Sequence, residues 1–230
     1  MKLVLISDIH SNYDALSAAS KDMHDYDFLV CLGDLVGYGP QPNEVVQEIR
    51  QMNPQIIIAG NHDYATVTGD TSNFVAHASR AIEWTRRRLT SQNLSYLSRL
   101  PYHSTRSVDD STIACFHGSP RDPLNEYVYP GVPDSIYQAL IEEASVDILI
   151  LGHTHMPLYI STASGTLINP GSIGQPRDGD PRASYAILEI TNGKASCSIR
   201  RVRYDIKLTA KKIMQEELPT FLADRLFMGI

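Results

Sequence analysis

Five short polar motifs, each at or just past the end of a short apolar run, constrain this chain more than any other feature. Asp8-Ile9-His10 follows Leu3–Ile6, and Gly33-Asp34 follows Phe28–Leu32. Gly60-Asn61-His62-Asp63 follows Ile56–Ala59, His117-Gly118 follows Ile113–Phe116, and Gly152-His153-Thr154-His155 follows Ile148–Leu151. Short apolar runs bounded by turn signals read as buried strands, and an α/β sheet gathers its functional loops at the carboxyl ends of its strands. Five such edges bring Asp, Asn and His into one cleft. Those side chains are oxygen and imidazole donors, the ligand chemistry of a divalent metal site.

The pattern between the motifs predicts the architecture. Lys2–Ser7 reads as a strand, followed by a helix over Asn12–His24 with Ala15, Leu16, Ala19 and Met23 on one face and Ser11 or Asn12 as its cap. Phe28–Leu32 is a second strand. Pro42 opens a helix whose stripe is Val45, Val46, Ile49 and Met52, and Gln55–Ala59 is a third strand. Strand and helix alternating in this way imply parallel strands with right-handed crossovers. A helical excursion is expected around residues 65–101, carried by Phe74, Ala78, Ala81, Ile82 and Leu89 and then by Leu94, Leu97 and Leu100. Strands are predicted at 102–108, 111–116, 147–151, 157–161, 166–169, 183–190 and 194–202, with Asn192-Gly193 as a hairpin turn. Helices are predicted at 133–145, 205–217 and 219–227. There is no linker or internal repeat, so 1–230 reads as a single domain.

Composition narrows the function classes. A chain of 230 residues that is 43% hydrophobic can bury one large core. Its net charge of −6 argues against generic nucleic-acid binding. An anionic substrate stays admissible, because a metal centre makes one pocket positive on an acidic protein. Cys31, Cys115 and Cys197 form no C-x-x-C pair and read as free thiols, which suits a reducing compartment. Met1–Ile6 is too short and too soon polar for a signal peptide, and no apolar run reaches the ~18 residues of a membrane helix. A soluble, cytoplasmic protein without a membrane partner is expected.

Each motif also has an ordinary reading. Asp34 could cap a turn, His117 could be a satisfied structural histidine, and D-x-H alone is weak. In an extended segment Asp8 and His10 would point to one side, as would His153 and His155. Gly60 permits a tight turn. As an ordered set, Asp8-x-His10, Gly33-Asp34, Gly60-Asn61-His62-Asp63, His117 and Gly152-His153-x-His155 resemble the signature of the calcineurin-like metallophosphoesterases. The resemblance implies an α/β fold, a four-layer α/β/β/α sandwich of two mixed β-sheets, around a two-metal centre. One metal would take Asp8, His10 and His155, the other Asn61, His117 and His153, with Asp34 bridging.

The charges agree with that implication. Two divalent ions outweigh the carboxylates of Asp8 and Asp34, so the centre attracts phosphate. A hydroxide bridging the metals can attack phosphorus in line. Asp34, Asn61 and His62 form the expected catalytic set, with Asn61 and His62 also contacting substrate. His62, unassigned to a metal, serves as general acid, a role its ordinary pKa near 6.5 suits. Asp63 orients His62 or makes a turn hydrogen bond. Mn is the first choice of metal, with Fe, Zn, Co or Ni as alternatives.

The second motif departs from G-D-x-V-D-R-G of the serine/threonine protein phosphatases. Gly37 replaces the Asp partner of the acid histidine and Tyr38 the phosphate-binding Arg. The chain therefore resembles the small prokaryotic phosphoesterases, including relatives acting on phosphodiesters or diadenosine polyphosphates. Arg177, Arg121 and Tyr38 are candidates for substrate binding, against readings as surface or packing residues. Arg86-Arg87-Arg88 reads as a solvated face, and His24, His77 and His103 carry no motif. The expected partner is a small phosphoester or nucleotide. The alternatives are a scaffold like the retromer subunit of this fold, a protein phosphatase, or a nuclease, the last disfavoured by the absence of a basic extension. Oligomeric state is not legible.

Overall fold

The computed structural model describes every residue except Asn192; that half of the expected Asn192-Gly193 turn lies outside the described residues. In chain order the first elements are β1 (Lys2–Ile6), α1 (Tyr13–Asp22), β2 (Phe28–Cys31), α2 (Pro42–Met52) and β3 (Ile56–Ile57). Next come α3 (Asn61–Thr68), α4 (Ala76–Arg88) and α5 (Ser91–Leu97). The second half holds β4 (His103–Val108), β5 (Ser111–Phe116), α6 (Asp134–Ala144), β6 (Ile148–Ile150), β7 (Leu158–Thr162) and β8 (Gly165–Asn169). β9 (Ala183–Thr191), β10 (Lys194–Val202), α7 (Ile206–Gln215) and α8 (Thr220–Met228) complete the chain.

Two mixed five-stranded sheets result, ordered β10-β9-β1-β2-β3 and β4-β5-β6-β8-β7. β1, β2 and β3 run parallel, as do β5, β6 and β8, while β9–β10, β4–β5 and β7–β8 pair antiparallel. Strand alternation sorts the core into layers. Leu3, Leu5, Val30 and Leu32 face Ile113, Cys115, Ile148, Ile150 and Ile168 between the sheets. Val4, Ile6, Leu29 and Cys31 point the other way, onto Leu16 of α1 and Val45 and Ile49 of α2. Ala114, Leu149 and Leu167 cover the far side against Tyr137, Leu140 and Ile141 of α6. Helix, sheet, sheet, helix is the expected four-layer sandwich. Each of these fully buried aliphatic side chains contributes about 1.5–3 kcal/mol relative to exposure.

Two local expectations need correction. β3 is two residues long rather than Gln55–Ala59, because the Ala59 amide leaves the ladder to donate to the Pro101 carbonyl at 2.8 Å. That exit aims Gly60 at the second motif. The third motif is also not a loop: α3 begins on Asn61 itself. Its N-terminal amides are met by the Asp63 carboxylate, which accepts from the Gly60 N–H, and by Asp34, which accepts from the His62 N–H. The helical excursion is thus α3, α4 and α5.

Candidate metal centre

The parallel strands deliver their loops to one edge, where backbone geometry does the fine positioning. Asp8, His10, Asp34, His153 and His155 have φ of 54°, 49°, 51°, 67° and 60°. These left-handed conformations are uncommon outside glycine and cost about 1–3 kcal/mol each. The expectation that Asp8-x-His10 and His153-x-His155 are extended is therefore wrong. Turns, not the pleat, make the side chains converge. Gly33, with φ of +87°, lies so close that a Cβ there would overlap the Gly60 amide, which locks the second and third motifs back to back.

Hydrogen bonds fix which atom of each side chain faces inward. The Asp8 Oδ2 accepts from the Ser7 hydroxyl at 2.6 Å and the His153 amide at 3.1 Å, leaving its Oδ1 free. The Nδ1 atoms of His10, His117 and His155 lie 3.1, 2.7 and 2.5 Å from the carbonyls of Val36, Leu32 and Gln175. As donors there, they leave each Nε2 lone pair turned inward, the usual outer support of a metal-binding histidine. His153 is reversed: its Nε2 is 3.2 Å from the Asn125 carbonyl, so Nδ1 is the free atom. The Asp34 Oδ1 accepts from the His62 amide at 2.8 Å, and its Oδ2 stays free.

The free atoms meet. His155 Nε2 is 3.2 Å from Asp8 Oδ1 and 3.1 Å from His10 Nε2. Asp34 Oδ2 is 3.3 Å from His117 Nε2 and 3.5 Å from His10 Nε2. Asp8 Oδ1, Asp34 Oδ2, Asn61 Oδ1 and His117 Nε2 are buried with no hydrogen-bond partner. Buried polar atoms are ordinarily satisfied, so a knot of facing lone pairs and carboxylates fits cations. Among the described residues, three groups have ligand atoms within 4.8 Å of one another: Asp8–His10–His155, Asp34–His117–His153 and His10–Asp34–His62. The first holds the three residues expected at one metal, and the second holds His117 and His153 of the other expected set together with Asp34. The mixture of carboxylate oxygen and imidazole nitrogen suits a first-row divalent metal.

Electrostatics favour the ligating protonation state at Asp8, Asp34, His10 and His153, but not at His117. Burial alone would push the Asp34 carboxyl up, but His117 and His62 beside it hold it well below the usual range, and His155 and His117 do the same for Asp8. Burial pushes His10 down and His153 down to about 3. His117 moves the other way, to about 9, because Asp34 and Asp8 outweigh its burial.

His62 differs from expectation. Burial lowers it to about 4 rather than leaving it near the ordinary value, and its Nδ1 is buried without a partner. Rings hold it instead of a carboxylate: Tyr38 at 4.4 Å, His10 at 4.8 Å and Phe74 at 4.9 Å between centroids. Gly37 has φ of +93°, and a Cβ there would sit 2.5 Å from His62 Nδ1, so this backbone has no room for the Asp partner of the protein phosphatases. Asp63 makes no bond to His62; it accepts from the Gly60 and Val36 amides, and burial raises it to about 7.

The arginines separate. Arg177 lies beside Tyr38, its guanidinium carbon 5.9 Å from the ring and one Nη 3.4 Å from the hydroxyl. Arg121 is not brought to the cluster, because its exposed guanidinium grips Glu143 of α6 at 2.5 and 2.7 Å. His103 stacks on Phe116, and His77 packs on Phe221.

Sequence reasoning missed Phe74, Asn125, Tyr127 and Arg225. Tyr127 stacks on His153 at 3.8 Å, and Arg225 of α8 lies 5.9 Å from the Tyr38 ring. The only signal for Asn125 and Tyr127 was their place in the loop after His117; Arg225 had none. A cleft of about 380 Å³ opens from the cluster, lined by Asn61, His62 and His153 with Tyr38, Phe74 and Tyr127 among its walls.

This fold and this cluster define a metallophosphoesterase. Residues 1–193 match the calcineurin-like phosphoesterase superfamily domain, and the chain belongs to that superfamily. It is a metal-dependent phosphoester hydrolase. An uncharacterized protein of Methanocaldococcus jannaschii is 35% identical, the match covering 99% of this chain and 98% of that protein. The phosphodiesterase YfcE of Escherichia coli is 25% identical over 82% of this chain and 88% of its own length. The crystal structure of a metallophosphoesterase from Sphaerobacter thermophilus is 37% identical, with a TM-score of 0.85 over 100% of this chain and 99% of that one.

Proposed function

We propose that this chain is a binuclear metal-dependent phosphoesterase acting on small phosphodiesters, with monoesters and nucleotides as further substrates. The observation that carries the reading is the knot of buried, unpartnered donor atoms from Asp8, Asp34, Asn61 and His117, next to a cleft that Asn61 itself lines. Similarity to the E. coli phosphodiesterase YfcE supports diesters. Asp8, His10 and His155 would hold one ion, and Asn61, His117 and His153 the other. The free oxygen of Asp34, 3.5 Å from His10 Nε2 and 3.3 Å from His117 Nε2, would serve both. Mn is the metal we favour. When bound, such ions supply Lewis acidity and lower the pKa of water.

The chain's own groups do the rest. Asn61 and His62, side by side at the start of α3, face the phosphate. His62 donates a proton to the leaving oxygen; an anion bound beside it raises the proton affinity that burial has lowered. Arg177 adds positive potential from behind Tyr38. Buried free thiols at Cys31 and Cys115 suit the cytoplasm.

The His62→Asn variant tests the assignment. It should keep its metal content by elemental analysis and lose turnover by roughly a hundredfold or more on alkyl diesters, the usual scale of general acid catalysis. The loss should be smaller on p-nitrophenyl esters, whose leaving group needs no proton. Loss of metal instead would make His62 a ligand, which its distances to His10 and Asp34 permit.

A further inference from the structure

The cleft has walls as well as a floor. One wall is Tyr38, Phe74 and Asn73, from the second motif and the segment before α4; the other is Asp122, Asn125 and Tyr127, from the loop after β5. Phe74 presents its ring beside His62, and Tyr127 remains 47% exposed although it stacks on His153. Aromatic rings standing in water at the mouth of a site favour a planar apolar partner. The Asn73 amide and the Asn125 Oδ1 can pair with ring edges or hydroxyls, while the Asn125 side-chain N–H and backbone N–H are held by the Asp122 carboxylate.

Charge excludes other occupants. None of the described residues lining the cleft is Lys or Arg, and Asp122 is among them. A second phosphate or an acidic peptide would find no lining counter-charge on the Phe74 and Tyr127 side; Arg177 and Arg225 stand behind Tyr38. A volume of about 380 Å³ is at the small end of ligand pockets and far below what a folded protein substrate needs.

We propose that the cleft is a nucleoside pocket: the phosphate rests on the floor while an uncharged base lies between Phe74 and Tyr127 and its polar edge meets Asn73 and Asn125. The substrate class is then a nucleoside phosphoester with a single phosphate, a narrowing that rests on the phosphoesterase reading. Arg177 and Arg225, behind Tyr38, stay outside the base site.

The test is calorimetric binding to Mn-loaded protein cleared of excess metal, comparing AMP with ribose 5-phosphate and orthophosphate. AMP should bind about tenfold or more tighter than ribose 5-phosphate, the scale of one base stacked on an aromatic ring. Phe74→Ala and Tyr127→Leu should bring the AMP to ribose 5-phosphate ratio toward one, at unchanged metal content by elemental analysis. Phe74→Leu serves if Phe74→Ala does not fold. Equal affinity for AMP and ribose 5-phosphate in the unaltered protein overturns the proposal, as does a ratio that neither variant changes. If the ratio holds but no phosphoester is hydrolysed, the catalytic reading fails and the pocket stands. Hydrolysis with a ratio near one leaves the phosphoesterase and removes the nucleoside pocket.

Discussion

At the scale of single residues, the cluster is built by conformations that the side chains themselves do not prefer. Five of the seven proposed ligands sit at positive φ, and strain of that kind persists only where the surroundings over-determine it. Gly37 is the sharpest case. It stands where protein-phosphatase relatives have Asp, and its neighbour is the ring of His62, not solvent. Replacement by Ala would strain a backbone at φ of +93° and push on His62 Nδ1. Gly37→Ala should therefore lower kcat by about tenfold or more, since a displaced catalytic group of ~1 Å can cost more than that, while leaving metal content intact. A kinetic assay paired with elemental analysis checks it, and undiminished turnover would mean that His62 is free to move.

At the scale of elements, periodicity made most of the sandwich legible. The helices α1, α2, α4 and α7 and the hairpin β9–β10 lie within a few residues of their expected bounds. What escaped was settled by long-range partners. β3 is short because the Pro101 carbonyl takes the Ala59 amide, and no local pattern announces a partner so far along the chain. α3 escaped because its first turn is made of the motif itself, and Asn61-His62-Asp63 has no apolar stripe to read. The same limit applied to the site. The motifs gave the residues proposed as ligands, but nothing in them told which oxygen or nitrogen of each would be free, or that Arg121 would be held by Glu143. Asp63 ties these elements together through the Gly60 and Val36 amides. Asp63→Ala leaves two buried N–H groups unpaired and should destabilise the fold by about 2 kcal/mol or more. Urea denaturation followed by far-ultraviolet circular dichroism measures this, and an unchanged midpoint would contradict the tie.

At the scale of the molecule, the matched superfamily domain ends at residue 193, before α7 and α8. Those helices pack Ile213, Leu222 and Leu226 against Tyr38 and so brace the ring that holds His62. Leu226→Ala should cost about 3 kcal/mol, the usual scale for a buried leucine, and it should weaken turnover without releasing metal. A denaturant midpoint that does not move would show that the C-terminal pair is not coupled to the core. Among the described residues no helix is long and apolar enough to cross a membrane, and both sheets serve one edge where the five loops meet. In the proposed function Asp34, with one oxygen fixed by the His62 amide and the other free, would serve both ions of one catalytic centre. The direct measurement is metal stoichiometry together with hydrolysis of bis(p-nitrophenyl) phosphate, on chelator-stripped protein reloaded with Mn, for the natural chain and Asp34→Asn. Two Mn per chain with restored hydrolysis in the former, and loss of both metal and turnover in the latter, is the predicted result. Full hydrolysis by Asp34→Asn, or by the stripped protein before Mn is added, would contradict it.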